Sequence, residues 1–168
     1  MSTPYLDGQK AIYLTDLERC EPQAVLSPKP RRHHWQTLPY ETDLLKGTML
    51  IANEETVAPE ITYPLNVKGW HAIFIGLLAD PGEWTKVMLR LSDDPCPSAI
   101  SLPVGWDRAS VAGSHRHQIN EFYWKTADLT GQQLHLGQYA VRVAPEDEPR
   151  SFACTKSKIA FIKLVPLS

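Results

Sequence analysis

From Gly47 onward the apolar residues come in short runs separated by polar, proline-bearing connections. In "KVMLRLS", Val87, Leu89 and Leu91 alternate with Lys86, Met88 and Arg90, the two-residue period of a strand with one face buried. "GWHAIFIGLLA" is apolar at consecutive positions, which predicts a central strand covered on both faces. "GTMLIA", "EITYPL", "AISLPV" and "NEFYWKTADL" read as further strands, and "QQLHLGQYAVRV" as one strand or as two around a bend at Gly137. "KIAFIKLVPL" closes the series and, read as a regular strand, places Ile159, Phe161 and Val165 on one face. The predicted core draws on Ile73, Ile75, Val87, Leu89, Leu91, Phe122, Trp124, Ile159 and Phe161, with Trp70 also assigned inside its apolar run.

The connections "ADPGEW", "SDDPCPS" and "APEDEPRS" are rich in the residues that favour turns. The 14 prolines cluster at the edges of apolar runs, where a missing N–H does least harm to a sheet. No segment keeps a helical apolar period for three turns, although "YLTDLERC" suits one short helix. About eight to ten strands with turn signals between them predict an all-β fold, an antiparallel β-sandwich or barrel. Residues 1–168 form one domain in this reading, with an N-terminal strand and extended arm over 1–46 and the sandwich body over 47–168.

Composition narrows the class without naming an activity. At 168 residues, 43% apolar and 21% charged, the chain has the make-up of an ordinary globular domain. A net charge of -2 with no block of like charges argues against nucleic acid or an anionic membrane as partner. Cys20, Cys96 and Cys154 form no C-x-x-C pair and read as reduced, buried thiols, with one disulfide plus a free thiol as the alternative. The start, "MSTPYLDGQKAIYL", lacks the basic and apolar regions of a secretion signal, and "AIFIGLLA" is too short to span a bilayer. The expectation is a soluble, cytoplasmic protein. A piece of a longer secreted protein reads the same way.

The segments "YPLNVKGWHAIFIGL", "VMLRLSDDPC", "FYWKTADLTGQQLHL" and "IAFIKLVPLS" resemble the N-terminal domain of multidomain bacterial proteins related to glycoside hydrolases. In that family a galactose-binding-like or jelly-roll β-sandwich precedes a larger (β/α) barrel. The resemblance covers roughly Gly47 to Ser168 and implies an accessory role, either carbohydrate binding or packing against a downstream catalytic domain. It transfers no sugar-binding residues and implies no cofactor. The chain's end directly after its last apolar run is the end expected of a module cut from a longer protein.

Candidate chemistry has to come from the residues themselves. Asp93 and Asp94 in "LSDDPC" diverge in extended chain and read as turn residues bonding backbone N–H groups, not as a catalytic carboxylate pair. Ser114 beside His115 lacks a nucleophile elbow, and "DLTGQQL" reads as a turn between strands. Trp84 and Trp106 sit among glycine and polar residues, where an indole face can stack on a sugar while Asp107 and Arg108 bond its hydroxyls. "RRHHW", Arg31 to Trp35, reads as a solvated arm or a contact with a partner domain. In "GSHRHQINEFYW" the H-x-H-x3-E spacing of His115, His117 and Glu121 matches the first half of a cupin metal site. The second half is missing, since His135 is the one histidine downstream and no P-x-G turn precedes it. The leading expectation is therefore a non-catalytic accessory module with sugar contacts at Trp84, Trp106, Asp107 and Arg108. A metal-dependent cupin enzyme is the alternative.

Overall fold

The computed structural model describes residues 11–41, 45–52, 58–79, 85–102, 110–113, 118–138, 140–142, 152–154 and 157–167. These are almost wholly strand and connection: β1 (Ile12–Leu14), β2 (Leu26–Ser27), β3 (Trp35–Glu41), β4 (Lys46–Ala52), β5 (Ile61–Tyr63), β6 (Trp70–Ala79) and β7 (Thr85–Leu91). They continue with β8 (Ser98–Leu102), β9 (Ser110–Gly113), β10 (Gln118–Asp128), β11 (Leu134–Gln138), β12 (Ala140–Arg142), β13 (Phe152–Cys154) and β14 (Ser157–Pro166). An eight-stranded sheet runs β2-β3-β4-β14-β6-β10-β9, with β1 joined to β14 beside β4. A four-stranded sheet runs β5-β11-β7-β8, and β12 pairs with β13 as a separate ribbon. Pairing is antiparallel throughout the named strands except between the short β2 and β3. The all-β sandwich expected from the apolar runs is the fold observed. No helix among the described residues is long and apolar enough to cross a membrane.

The two sheets meet over one main core. The inner face of the larger sheet contributes Leu50, Ile73, Ile75, Leu77, Ile159, Ile162 and Leu164. Facing them are Ile61, Tyr63, Val87, Leu89, Leu91, Leu134 and Leu136 of the smaller sheet. Each such aliphatic side chain, withdrawn completely from water, contributes about 1.5–3 kcal/mol. In β7 the alternation holds as predicted: Val87, Leu89 and Leu91 are buried while Lys86, Met88 and Arg90 are partly exposed. Strand β6 is covered on both sides, because Ala72, Phe74 and Leu78 on its other face are buried too.

Several side chains depart from the regular reading, each for a local reason. Ile159 enters the main core, but Phe161 and Val165 lie in clusters on the outer face of the larger sheet. An irregular step between Ile159 and Phe161 in the β14–β6 register adds a residue and reverses the parity. Trp70, assigned to the core, is 57% exposed, because it opens β6 at the end of the sheet on the face of Ala72 and Phe74. Trp35 departs in the other direction. It is fully buried, its indole N–H donating to the Pro59 carbonyl at 2.8 Å. The segment read as an extended arm thus supplies β2 and β3 to the sheet. "YLTDLERC" yields a 3₁₀ turn at Leu17–Arg19, anchored where the Tyr63 hydroxyl donates to Asp16 Oδ1. "QQLHLGQYAVRV" contributes β11 and β12, and Gly137 lies within β11 opposite Met88. Among the described cysteines, Cys20 is buried and free, whereas Cys96, expected to be buried, is free and exposed.

One close approach on the outer face governs its packing. Gly76 of β6 is paired with Phe161 of β14, and the Phe161 ring fills the space a Gly76 side chain would need. Gly76→Ala is therefore expected to lower the unfolding free energy by about 1–3 kcal/mol through overpacking. Phe161→Ala is expected to lower it by about 3–5 kcal/mol. In urea denaturation the double variant should lose clearly less than the sum of the two, since removing the ring removes the clash.

Candidate functional site

Trp84, Trp106, Asp107, Arg108, His115 and His117 lie outside the described residues, as does Ser114. Glu121 and the Asp93–Asp94 pair are described. Asp94 closes the turn after β7: its N–H donates to the Leu91 carbonyl at 2.9 Å, and its Oδ2 accepts the Leu91 N–H at 2.8 Å. Its carboxylate also receives the Lys125 ammonium, at 2.7 Å and 2.8 Å to the two oxygens. The turn reading of "LSDDPC" holds, and Asp94 gains a second role as a tie between the sheets. Lys125 reaches it because a bulge in β10 between Tyr123 and Lys125 changes the parity of the strand. Trp124 then packs on the main core with the Lys125 Nζ 4.8 Å from its ring centroid.

The same bulge shapes the outer face. Before it, Tyr123 lies opposite Phe74; after it, Thr126 lies opposite Ala72 and Asp128 opposite Trp70. Directly opposed residues share a face, so Tyr123, Thr126 and Asp128 all join Phe74 and Trp70 there. The Tyr123 and Thr126 hydroxyls are 2.7 Å apart, and the Phe74 and Tyr123 rings meet edge to face at 5.4 Å. On the far side of β14, Tyr13 of β1 pairs with Lys163 and meets Phe161 edge to face at 5.3 Å. Tyr123 is 45% exposed and Tyr13 37%, so with Trp70 the face presents open aromatic surface. Trp70 and Phe74, four positions apart on one strand, stand about 13 Å from each other along β6.

Between these rings lies a charged pair. Lys163 Nζ donates to Glu121 Oε2 at 3.0 Å, and the two side chains keep only 11% and 15% of their surface. The pair spans β6 diagonally, because Lys163 is in register with Phe74, and Gly76 with both Phe161 and Glu121. The ammonium sits 4.9 Å from the Phe74 ring centroid and 5.6 Å from that of Tyr13, in reach of both π-faces. Glu121 Oε1 is buried and has no hydrogen-bond partner. For the cupin alternative this matters. The one member of the H-x-H-x3-E set that is described gives its Oε2 to the Lys163 ammonium. No group of three His, Cys, Asp or Glu side chains positioned for a metal occurs among the described residues.

Other polar groups are taken up by structural contacts. On the outer face of the smaller sheet, Arg90 forks onto Glu60 at 3.0 Å and 2.8 Å. Beside it, His135 Nδ1 meets the Thr62 hydroxyl at 2.9 Å. Burial and the Arg90 charge hold His135 below its ordinary value, against the pull of Glu60, which keeps the ring neutral near pH 7. Burial, with the carboxylates of Asp16 and Glu18 nearby, pushes the Cys20 thiol up to about 12, so it is no ready nucleophile. The residues that assemble on the outer face, Tyr13, Trp70, Phe74, Tyr123 and Lys163, carry no motif. The signal available in the sequence was parity. Tyr123 alternates with Phe122 and Trp124, and Lys163 interrupts an otherwise apolar final strand.

Burial pushes the Asp94 carboxyl up, but the Leu91 N–H and the Lys125 ammonium outweigh it and leave the group below its ordinary value. A depressed carboxyl stabilises the folded state fully above the ordinary value, near pH 4, and loses that contribution as pH falls through the lower folded value. Asp94→Asn is expected to lower the unfolding free energy by about 1 kcal/mol at pH 7, the partial exposure of Lys125 limiting the effect. Chemical denaturation between pH 7 and pH 2 should show this difference shrinking once the pH drops below about 4.

No known protein family matches this chain, and no curated protein matches it.

Proposed function

We propose that this chain is a non-catalytic β-sandwich module that binds carbohydrate on the outer face of its larger sheet, as an accessory to a glycoside-hydrolase-like protein. The observation that carries the reading is the open aromatic surface of Trp70 and Tyr123 beside Asp128 and Thr126. Indole and phenol faces stack on the C–H face of a sugar ring, and flanking carboxylate and hydroxyl groups bond its hydroxyls. Antiparallel pairing holds the rings on rigid strands, so little conformational freedom is lost when a ligand docks.

A non-catalytic role is supported by how four of the described carboxylates are engaged. Glycoside hydrolysis needs two of them facing across a substrate. Here Asp94 turns to Lys125, Glu60 to Arg90, Asp16 to Tyr63 and Arg19, and Glu121 to Lys163. The resemblance to the N-terminal domains of glycoside-hydrolase-like proteins agrees with this division, catalysis lying in a partner domain.

Calorimetric titration and affinity electrophoresis of the chain with soluble xylan, mixed-linkage β-glucan and galactan test the proposal. Weak binding to at least one is expected, with Trp70→Ala and Tyr123→Ala each lowering affinity about three- to tenfold. Trp84→Ala and Trp106→Ala measure what those tryptophans add. Binding to none of the polysaccharides, or hydrolysis of a chromogenic glycoside by the pure chain, overturns the reading.

A further inference from the structure

We infer that the aromatic face takes a planar array of parallel sugar chains, the surface of an insoluble polysaccharide, and that Tyr13 is its third ring contact. The inference rests on the sugar-binding reading and names the ligand class within it. Four large apolar side chains are exposed among the described residues: Tyr13, Leu38, Trp70 and Tyr123. All four lie on the outer face of the larger sheet. Trp70 and Tyr123 share that face with Phe74, and Tyr13 meets Phe161 there. Leu38 is paired with Met49, which clusters with Phe161. Apolar surface gathered on one face marks a contact surface, whereas single exposed residues scattered over a molecule need no explanation.

The strand registers fix how the three ring-bearing residues are laid out. Tyr13 is paired with Lys163, Lys163 with Phe74, and Phe74 with Tyr123. The two tyrosines therefore end one row that crosses β1, β14, β6 and β10, and three strand spacings put their backbones about 14 Å apart. Trp70 stands off that row, four residues along β6 from Phe74, or about 13 Å. The three positions form a triangle. A single extended chain laid between any two of them misses the third, whereas parallel chains packed in a plane offer a C–H face to all three rings at once. Between the rings Ala72, Phe74 and Lys163 are buried, so the contact is made by the rings themselves and needs no groove. Rings held on paired strands suit a ligand that is equally ordered. Chains of an insoluble polymer have lost their conformational freedom before they dock, while a soluble chain loses it on binding.

The test is depletion of the full chain from solution by microcrystalline cellulose, β-chitin and crystalline mannan, set against calorimetric titration with cellohexaose, chitohexaose and mannohexaose. The expected result is adsorption to at least one solid about tenfold or more tighter than binding of its matching hexasaccharide. Tyr13→Leu, Trp70→Leu and Tyr123→Leu should each lower the adsorption constant about three- to tenfold. Leucine keeps apolar packing while removing the ring, and a cooperative thermal transition in each variant guards against a loss of fold. Equal affinity for a solid and its hexasaccharide shows that one chain suffices, which overturns the array while the module reading stands. Adsorption that the three variants leave unchanged is non-specific and overturns it too. So does a concentration-dependent dimer in sedimentation that Trp70→Leu abolishes, since the rings then belong to a second copy of the chain. Binding to neither the solids nor any soluble saccharide overturns the module reading and the array with it.

Discussion

The fold depends on the antiparallel pairing of β6 with β14 at the middle of the larger sheet. Both strands are buried on two faces, so each must be apolar at nearly every position, and each hydrogen bond between them is shielded from water. Their inner faces supply Ile73, Ile75, Leu77, Ile162 and Leu164 to the main core, against which the smaller sheet closes. The partners of this pair, β10 on one side and β4 with β1 on the other, take their register from it. Pairing also joins the two ends of the described chain, since β1 near the start lies against β14 at the finish. Even the short β1 has a close fit. Gly47 of β4 leaves room for Thr15, whose carbonyl accepts the Thr48 N–H.

A central strand buried on both faces leaves few places for charge, and this gives Lys163 its meaning. In β14 it stands among Phe161, Ile162, Leu164 and Val165, all fully buried. An ammonium in such surroundings requires a counter-charge and a polarisable neighbour. Glu121 provides the first across two strands, and the rings of Phe74 and Tyr13 provide the second. Breaking a buried pair of this kind is strongly destabilising, whereas replacing it with packed apolar side chains is often neutral. Stability alone therefore gives no reason for a lysine and a glutamate here.

Irregular steps in the strands do much of the positioning. In β10 a bulge sends Trp124 to the core and Lys125 to Asp94, and leaves Tyr123 and Thr126 together on the outer face. In β14 a bulge separates Ile159 from Phe161, freeing the ring to lie over Gly76. One added residue in each strand thus decides which side chains are structural and which are displayed. The face proposed to bind sugar is a product of these two steps as much as of its aromatic residues.

Fold class and strand elements are legible in the chain alone. Period-two alternation in "KVMLRLS", the doubly apolar run of β6 and the turn residues between them identify an all-β sandwich, because burial imposes those periods locally. The turn at Asp94 was legible for the same reason, since its chemistry acts within a few residues. Tertiary structure alone decided the rest. Trp70 is exposed in spite of an apolar run because strand position within the sheet is a non-local property. Trp35 is buried in spite of a basic neighbourhood because its partner, Pro59, lies far along the chain. The parity changes at Trp124 and Ala160 arise from pairing with β6 and leave no mark in composition or spacing. Glu121 drew notice for its spacing from two histidines, yet its partner is Lys163, brought to it across the sheet. A side chain's nearest chemical neighbour in a β-sandwich is set by register, and register is a property of strands meeting, not of either strand read alone.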